Sequence, residues 1–353
     1  MQTTFTETGN NMADEVSNLM DDNRAAITRL FKGVLRRDCS PEELESLLRQ
    51  FQNGLTIERL LEIMVNGQEF ANQTRVKTFV PAGHFYSPVV DPEEAEAYLD
   101  ARSGDFDADE LIGIPLRRHD IVDTWHTLVP YMKALPFEAG QKHPYRYQFD
   151  NTMYGWGDGS VLSAMISVYK PKRIIEIGSG WSSACAFDTV QRIAKLDTKL
   201  TFVEPYTQIL NDVMGDDYRK LEILETPVQK TPIAMYENLA AGDILFIDST
   251  HVMRTGSDVV FELFEILPRL APGVLVHFHD MFWPFEYPKN WAIIENRSWN
   301  ELYAVRAFLT NNDAWRVVFF NDYMRCIEGD LVKCTYPEFF NNSGGALWLE
   351  KKR

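Results

Sequence analysis

Between residues 173 and 280 one pattern recurs: a short apolar run that stops on a charged or imidazole side chain. "RIIEIGSG" runs through Ile174, Ile175 and Ile177 into Gly178-Ser179-Gly180, "KLTFVEP" ends on Glu204, "GDILFID" on Asp248, and "GVLVHFHD" on His279-Asp280. The segments between them are helical in spacing, as in "SDVVFELFEILPRLAPG", which Pro and Gly close. Strands alternating with helices specify a parallel sheet with crossovers. Such sheets bind ligands outside the carboxyl ends of their strands. Glu176, Gly178, Glu204, Asp248, His279 and Asp280 are therefore expected to converge at one edge, although more than a hundred positions separate the first from the last.

The first turn states what kind of ligand belongs there. Its glycines permit a tight turn and close backbone approach, and the following helix offers N–H groups from Gly180, Ser182 and Ser183. Glu204, followed by Pro205, stands where two ribose hydroxyls would be bound. A dinucleotide site wants G-x-G-x-x-G, but Ser183 holds the third position and Glu176 precedes the first glycine by two. A pyrophosphate sits poorly beside Glu176. A cationic, phosphate-free cofactor suits it, and S-adenosylmethionine carries a sulfonium and an ammonium.

The segments "IIEIGSGWSS", "FVEP", "GDILFIDSTH" and "LAPGVLVHFHDMFWPFEYP" together resemble the class I S-adenosylmethionine-dependent methyltransferases of the group catalogued as Methyltransf_24, itself similar to the macrolide-sugar O-methyltransferases. The resemblance implies an α/β fold, a Rossmann-like seven-stranded sheet closed by an antiparallel strand, with "WRVVFF" (315–320) and "GGALWLEKK" (344–352) as the last strands. It also implies O-methylation of a sugar or glycoconjugate hydroxyl. In the sugar enzymes a D-x-x-H segment supplies a metal ligand and a base, and an acidic pair ending the fifth strand completes the metal site. Here D-x-x-H reads Asp248 to His251, and the pair reads His279-Asp280. The resemblance thus implies His251 as base, with His279 and Asp280 beside it in the catalytic group. Asp248, His279 and Asp280 become candidate ligands of an optional Mg²⁺ or Mn²⁺, although an imidazole in the pair suits Mg²⁺ poorly.

The strand itself leaves three roles open for its histidines: metal ligands, proton transfer, or hydrogen-bonded core residues. His277, deeper in the strand, is expected to be the core residue. An alcohol near 15.7 and an ordinary imidazole near 6.5 differ by roughly nine units, about 12 kcal/mol for full proton transfer. An alcohol acceptor therefore favours a cation, whereas a phenol near 10 needs only His251. Glu225 and Thr226, after "RKLEILE", are candidates for the adenine end. Tyr154, Trp156 and Asp158 precede the first strand and are expected to close the pocket; Tyr154 and Trp156, with Phe282, Trp283 and Tyr287 of "MFWPFEYPKNW", are candidates to contact substrate.

The remaining chain divides into a polar tail (1–20), a helical module (21–77), a connecting or lid region (78–150) and the methyltransferase domain (151–353). The module has Ser40 and Thr56 as helix caps and Asn66-Gly67 as a stop, and it resembles the small helical domain catalogued as DUF4214 through "LFKGVLRRDCSPEELESLLRQFQNG" and "NGQEF". Its expected role is docking to a protein partner. With 35 basic against 51 acidic side chains, net −16, the chain is not built to grip nucleic acid. Four cysteines without zinc spacing, no apolar leader and no run near ~18 apolar residues read as a cytoplasmic protein without a membrane span. The competing readings are a nicotinamide-dependent oxidoreductase, which lacks its third glycine, and a non-catalytic scaffold.

Overall fold

The computed structural model describes residues 22–35, 37–65, 67, 79–102, 104, 109–140 and 142–353. It forms two compact units, Met1–Pro81 and Ala82–Arg353. In the first, helices 22–34, Pro41–Gln52 and Ile57–Val65 enclose Ile27, Phe31, Leu35, Leu48, Leu60 and Met64. Ser40 caps the second helix reciprocally: its Oγ accepts from the Glu43 amide, and its own amide donates to the Glu43 carboxylate. Thr56 accepts from the Arg59 amide and caps the third. The polar tail, Asn66 and the Gln-Glu-Phe of "NGQEF" lie outside the described residues.

The second unit is built on seven strands: β1 Arg173–Ile177, β2 Lys199–Val203, β3 Glu222–Leu224, β4 Ile244–Ile247, β5 Leu275–Phe278, β6 Trp315–Phe320 and β7 Leu347–Lys351. They lie in the order β3-β2-β1-β4-β5-β7-β6. The first five pair in parallel, and β7 runs antiparallel between β5 and β6. This is the seven-stranded class I arrangement, with "WRVVFF" and "GGALWLEKK" supplying the last two strands. β4 and β5 are buried at every position because helices cover both faces. The order reverses between β1 and β4, which opens a crevice at their carboxyl ends.

Residues 109–140 and 142–150, read from sequence as part of a connection or lid, contribute to the main core. In helix Arg118–Lys133, Trp125 is fully buried, stacked on Phe319 and edge-on to Phe339. Its indole N–H donates to Thr335 Oγ1 at 2.9 Å. Phe137, Tyr147 and Phe149 pack edge-to-face behind helix Trp156–Tyr169. Among the described residues no helix is long and apolar enough to cross a membrane.

Candidate active site

The cofactor side begins at Gly178, which leaves β1 with φ +80°. A Cβ there would fall 1.7 Å from the Asp248 carbonyl oxygen, so only glycine lets the β1 and β4 exits lie this close. Glu204, just past β2, accepts from the amides of Ser179 (3.0 Å) and Tyr206 (2.7 Å), and so ties the two loops together. Beside it lies a cavity of about 490 Å³ that Gly178, Glu204, Pro205, Gln229, Asp248 and Arg254 help to line. Of the cofactor residues expected from sequence, Gly178, Glu204, Pro205 and Asp248 face this space.

The others are placed differently. Ser182 and Ser183 hydroxyls donate to Glu176 Oε1 at 2.6 and 2.7 Å, and Gly180 N–H donates to Ser183 Oγ. These four residues brace the loop from behind. Burial pushes the Glu176 carboxyl up to about 8 against those hydroxyl bonds. Its Oε2 and the Ser179 hydroxyl are buried without a hydrogen-bond partner. Glu225 and Thr226 do not line the cavity; Pro227, Val228 and Gln229 do. The correction has a local cause: Thr226 N–H folds back onto Leu224 O, and Glu225 accepts from Tyr218 at the surface. Gln229 donates to Gly256 O and keeps its own Oε1 buried and unpartnered.

On the other side of Asp248 the strand ends of β4 and β5 gather a polar cluster. His251 is buried, at φ +60°, with Nδ1 2.8 Å from Glu301 Oε2. Its Nε2 lies 3.4 Å from Asp248 and 3.5 Å from Asp280. Burial acts to lower this imidazole, but the Asp248 and Glu301 carboxylates outweigh it and hold the group up at about 10. His279, also buried, has Nδ1 3.2 Å from Asp248 and Nε2 3.3 Å from Asp158. Burial is again opposed, here by Asp280, Asp248 and Asp158, and the ring is raised well above its ordinary value. Asp248 resists the upward push of burial and sits well below the usual carboxylate range because both imidazoles face it. Asp158 and Glu301 are the buried braces, each pushed upward by burial.

Asp158 thus supports His279 and does not close the cofactor pocket. No local sequence signal marks Glu301, fifty residues beyond its partner, and it was not among the expected site residues. His277 is fully buried, stacked at 4.0 Å on Phe246, with Tyr154 OH at 3.5 Å from its Nε2. Among the described residues no group of three or more His, Cys, Asp or Glu side chains is arranged to hold a metal ion. The three side chains of the expected ligand set do meet at the β4 and β5 exits, with His279 Nδ1 3.2 Å from Asp248 and 3.6 Å from Asp280.

The expected substrate aromatics also need correction. Tyr154, Trp283 and Tyr287 are core residues. Trp283 packs edge-on to Tyr323, and Tyr287 OH accepts from the Leu302 amide. Trp156 stacks on Phe149. Phe282 stays half-buried beside Trp291. The ring nearest the base is Trp299, half-buried, 4.4 Å from the His251 ring, and it carries Arg297 between itself and Trp291.

Residues 175–281 match the Methyltransf_24 family, described as a methyltransferase domain. A protein of Archaeoglobus fulgidus described as uncharacterized is 26% identical over 163 residues, 45% of this chain and 73% of that protein. Among solved structures, S-adenosylhomocysteine-bound PaMTH1, a methyltransferase of Podospora anserina, is 15% identical, covering 79% of this chain and 100% of its own, with TM-score 0.37. The O-methyltransferase TomG of Streptomyces achromogenes, solved with S-adenosylmethionine, is 10% identical over 74% of this chain and 96% of its own, with TM-score 0.35. Residues 175–281, from β1 to just past β5, thus match a methyltransferase domain and lie on the seven-stranded sheet.

Proposed function

We propose that the enzyme methylates a hydroxyl oxygen, with His251 as the general base and a sugar or glycoconjugate as the acceptor. One observation carries this reading: a buried imidazole at the β4 exit, fixed at Nδ1 by Glu301, turns its Nε2 toward the Asp248–Asp280 pair beside the cofactor cavity. In the step, the acceptor oxygen forms a bond to the methyl carbon as the carbon–sulfur bond breaks. The electron pair stays on sulfur, giving S-adenosylhomocysteine, and the hydroxyl proton passes to Nε2.

The raised basicity of His251 narrows the proton-transfer step itself. From about 10 the gap to an alcohol is about six units, or about 8 kcal/mol, instead of about 12 for an ordinary imidazole. The remainder falls within reach of a proton removed in concert with methyl transfer. At neutral pH the base must first lose its own proton, about three further units, which brings the total back to about 12 kcal/mol. Trp299 beside the base, with Asp280 as hydrogen-bond acceptor, supports an acceptor that has one apolar ring face and several hydroxyls.

The test is transfer of labelled methyl from S-adenosylmethionine to a panel of sugars, nucleotide sugars, phenols, amines and thiols, with wild type and His251→Ala. Sugar labelling that falls by about 10²–10⁴-fold in the variant is the expected result. Labelling of amines or thiols in preference to hydroxyls, or an undiminished His251→Ala enzyme, would overturn it.

A further inference from the structure

A second concavity lies away from the base, wholly within the unit Ala82–Arg353. It encloses about 440 Å³ and is lined by the rings of Phe85, Tyr98 and Tyr303 and by Asp91, Glu94 and Glu286. These rings are not core: Phe85 is 77% exposed, Tyr98 49% and Tyr303 42%. His84 stacks on Phe85 with ring centroids 4.3 Å apart, and the Tyr303 hydroxyl donates to Glu286. Among the described residues no Lys or Arg lines this space, so its charge opposes an anionic ligand. Exposed ring faces beside carboxylate acceptors suit a neutral molecule with apolar C–H faces and hydroxyl donors, which is the chemistry of a sugar.

The concavity also connects to the candidate active site. It shares Leu99 and Glu286 with a neighbouring cavity of about 280 Å³, whose wall includes Phe282, two residues past Asp280. From Phe282, ring contacts of 5.1, 5.6 and 4.4 Å lead through Trp291 and Trp299 to His251. The loop that carries Trp299 is tied to the same wall: Val90 N–H donates to Ser298 Oγ at 3.2 Å, and Asn296 Nδ2 donates to Val90 O at 3.3 Å.

We infer that the groove from Phe282 to Phe85 holds the further units of a neutral glycan chain whose reacting sugar lies at His251, so that the enzyme selects an oligosaccharide over a single sugar. The inference deepens the O-methyltransferase reading and rests on it for the chemistry at His251, but occupancy of the groove is measured without turnover. Three ring-to-ring steps separate His251 from the nearer cavity, and that cavity separates them from Tyr98. Contact with Tyr98 therefore belongs to units beyond the reacting one.

The experiment uses the full chain with gluco-, galacto- and manno-oligosaccharides of one to four units. Affinity is read by saturation-transfer NMR with S-adenosylhomocysteine present, and turnover by labelled methyl transfer, for wild type, Phe85→Ala and Tyr98→Ala. In at least one series, affinity and kcat/KM should rise by about tenfold or more from one unit to four. Both substitutions fall on exposed side chains outside the cofactor cavity, so S-adenosylhomocysteine binding should persist. The four-unit to one-unit ratio should fall toward one in both variants. A ratio that neither substitution changes would overturn the inference, as would affinity that grows with length in no series. Binding of a tetralysine peptide in the groove, with no oligosaccharide bound, would overturn it too. Length-dependent binding that the variants lose, without methylation of any hydroxyl, would sustain the groove and count against the O-methyltransferase reading. Methylation of single sugars with no dependence on length would do the reverse.

Discussion

Replacing Glu301 by Gln tests the base most directly, because it removes one charge and keeps the side chain's shape. Glu301 Oε2 lies 2.8 Å from His251 Nδ1, and both groups are buried. An opposite charge at such range shifts a titrating group by about 1–3 units, or about 1.4–4 kcal/mol. His251, now near 10, should therefore drop by that amount. The assay is the pH dependence of kcat/KM, whose acid limb reports the base of the free enzyme. In Glu301→Gln that limb should move to lower pH by more than about one unit. The plateau above it should fall, since a weaker base faces a larger gap to the alcohol. KM for S-adenosylmethionine should be unchanged because Glu301 does not line the cofactor cavity. An acid limb that stays in place, with or without a lower rate, would refute the assignment of the limb to His251 and of Glu301 as its partner.

Gly178→Ala should cost at least about 2 kcal/mol, measured as a lower midpoint in thermal or urea unfolding, and should abolish S-adenosylhomocysteine binding; a Cβ 1.7 Å from a carbonyl oxygen at φ +80° has no relaxed position. Glu204→Gln removes the carboxylate expected to accept from the ribose hydroxyls, charge-assisted bonds worth about 1.5–3 kcal/mol, so calorimetry should show about 10- to 150-fold weaker binding of S-adenosylhomocysteine. Glu176 is an acid raised from 4.5 to about 8 on folding, so its stabilising contribution is complete below 4.5 and is lost as pH rises through 8. The cofactor-free protein should accordingly lose a few kcal/mol between pH 5 and 8. That slope should be absent from Glu176→Gln, and a flat wild-type profile would contradict the assigned environment.

How far the site could be read from the chain depended on the distance over which each feature is set. The parallel sheet and the placement of Glu204, Asp248, His279 and Asp280 at strand ends followed from apolar runs and the turns that interrupt them, which are properties of a few adjacent residues, and the count of seven strands came with the family resemblance. His251, three residues past Asp248, was singled out by the D-x-x-H segment of the same resemblance. Tertiary structure alone decided which carboxylates meet the imidazoles: Glu301 reaches His251 across 50 residues and Asp158 reaches His279 across 121. It also decided which aromatic rings are core. Tyr154 and Trp283 have the side chains of a sugar platform and are buried instead, while Trp299 lies against the base. Residue type records what a side chain can do, and the same aromatic ring serves a core or a pocket equally well. The packing of helices against the sheet fixes which partner it finds, and that in turn fixes where protons reside in the site: an imidazole near 6.5 in an isolated segment becomes a base near 10 only when buried carboxylates close around it.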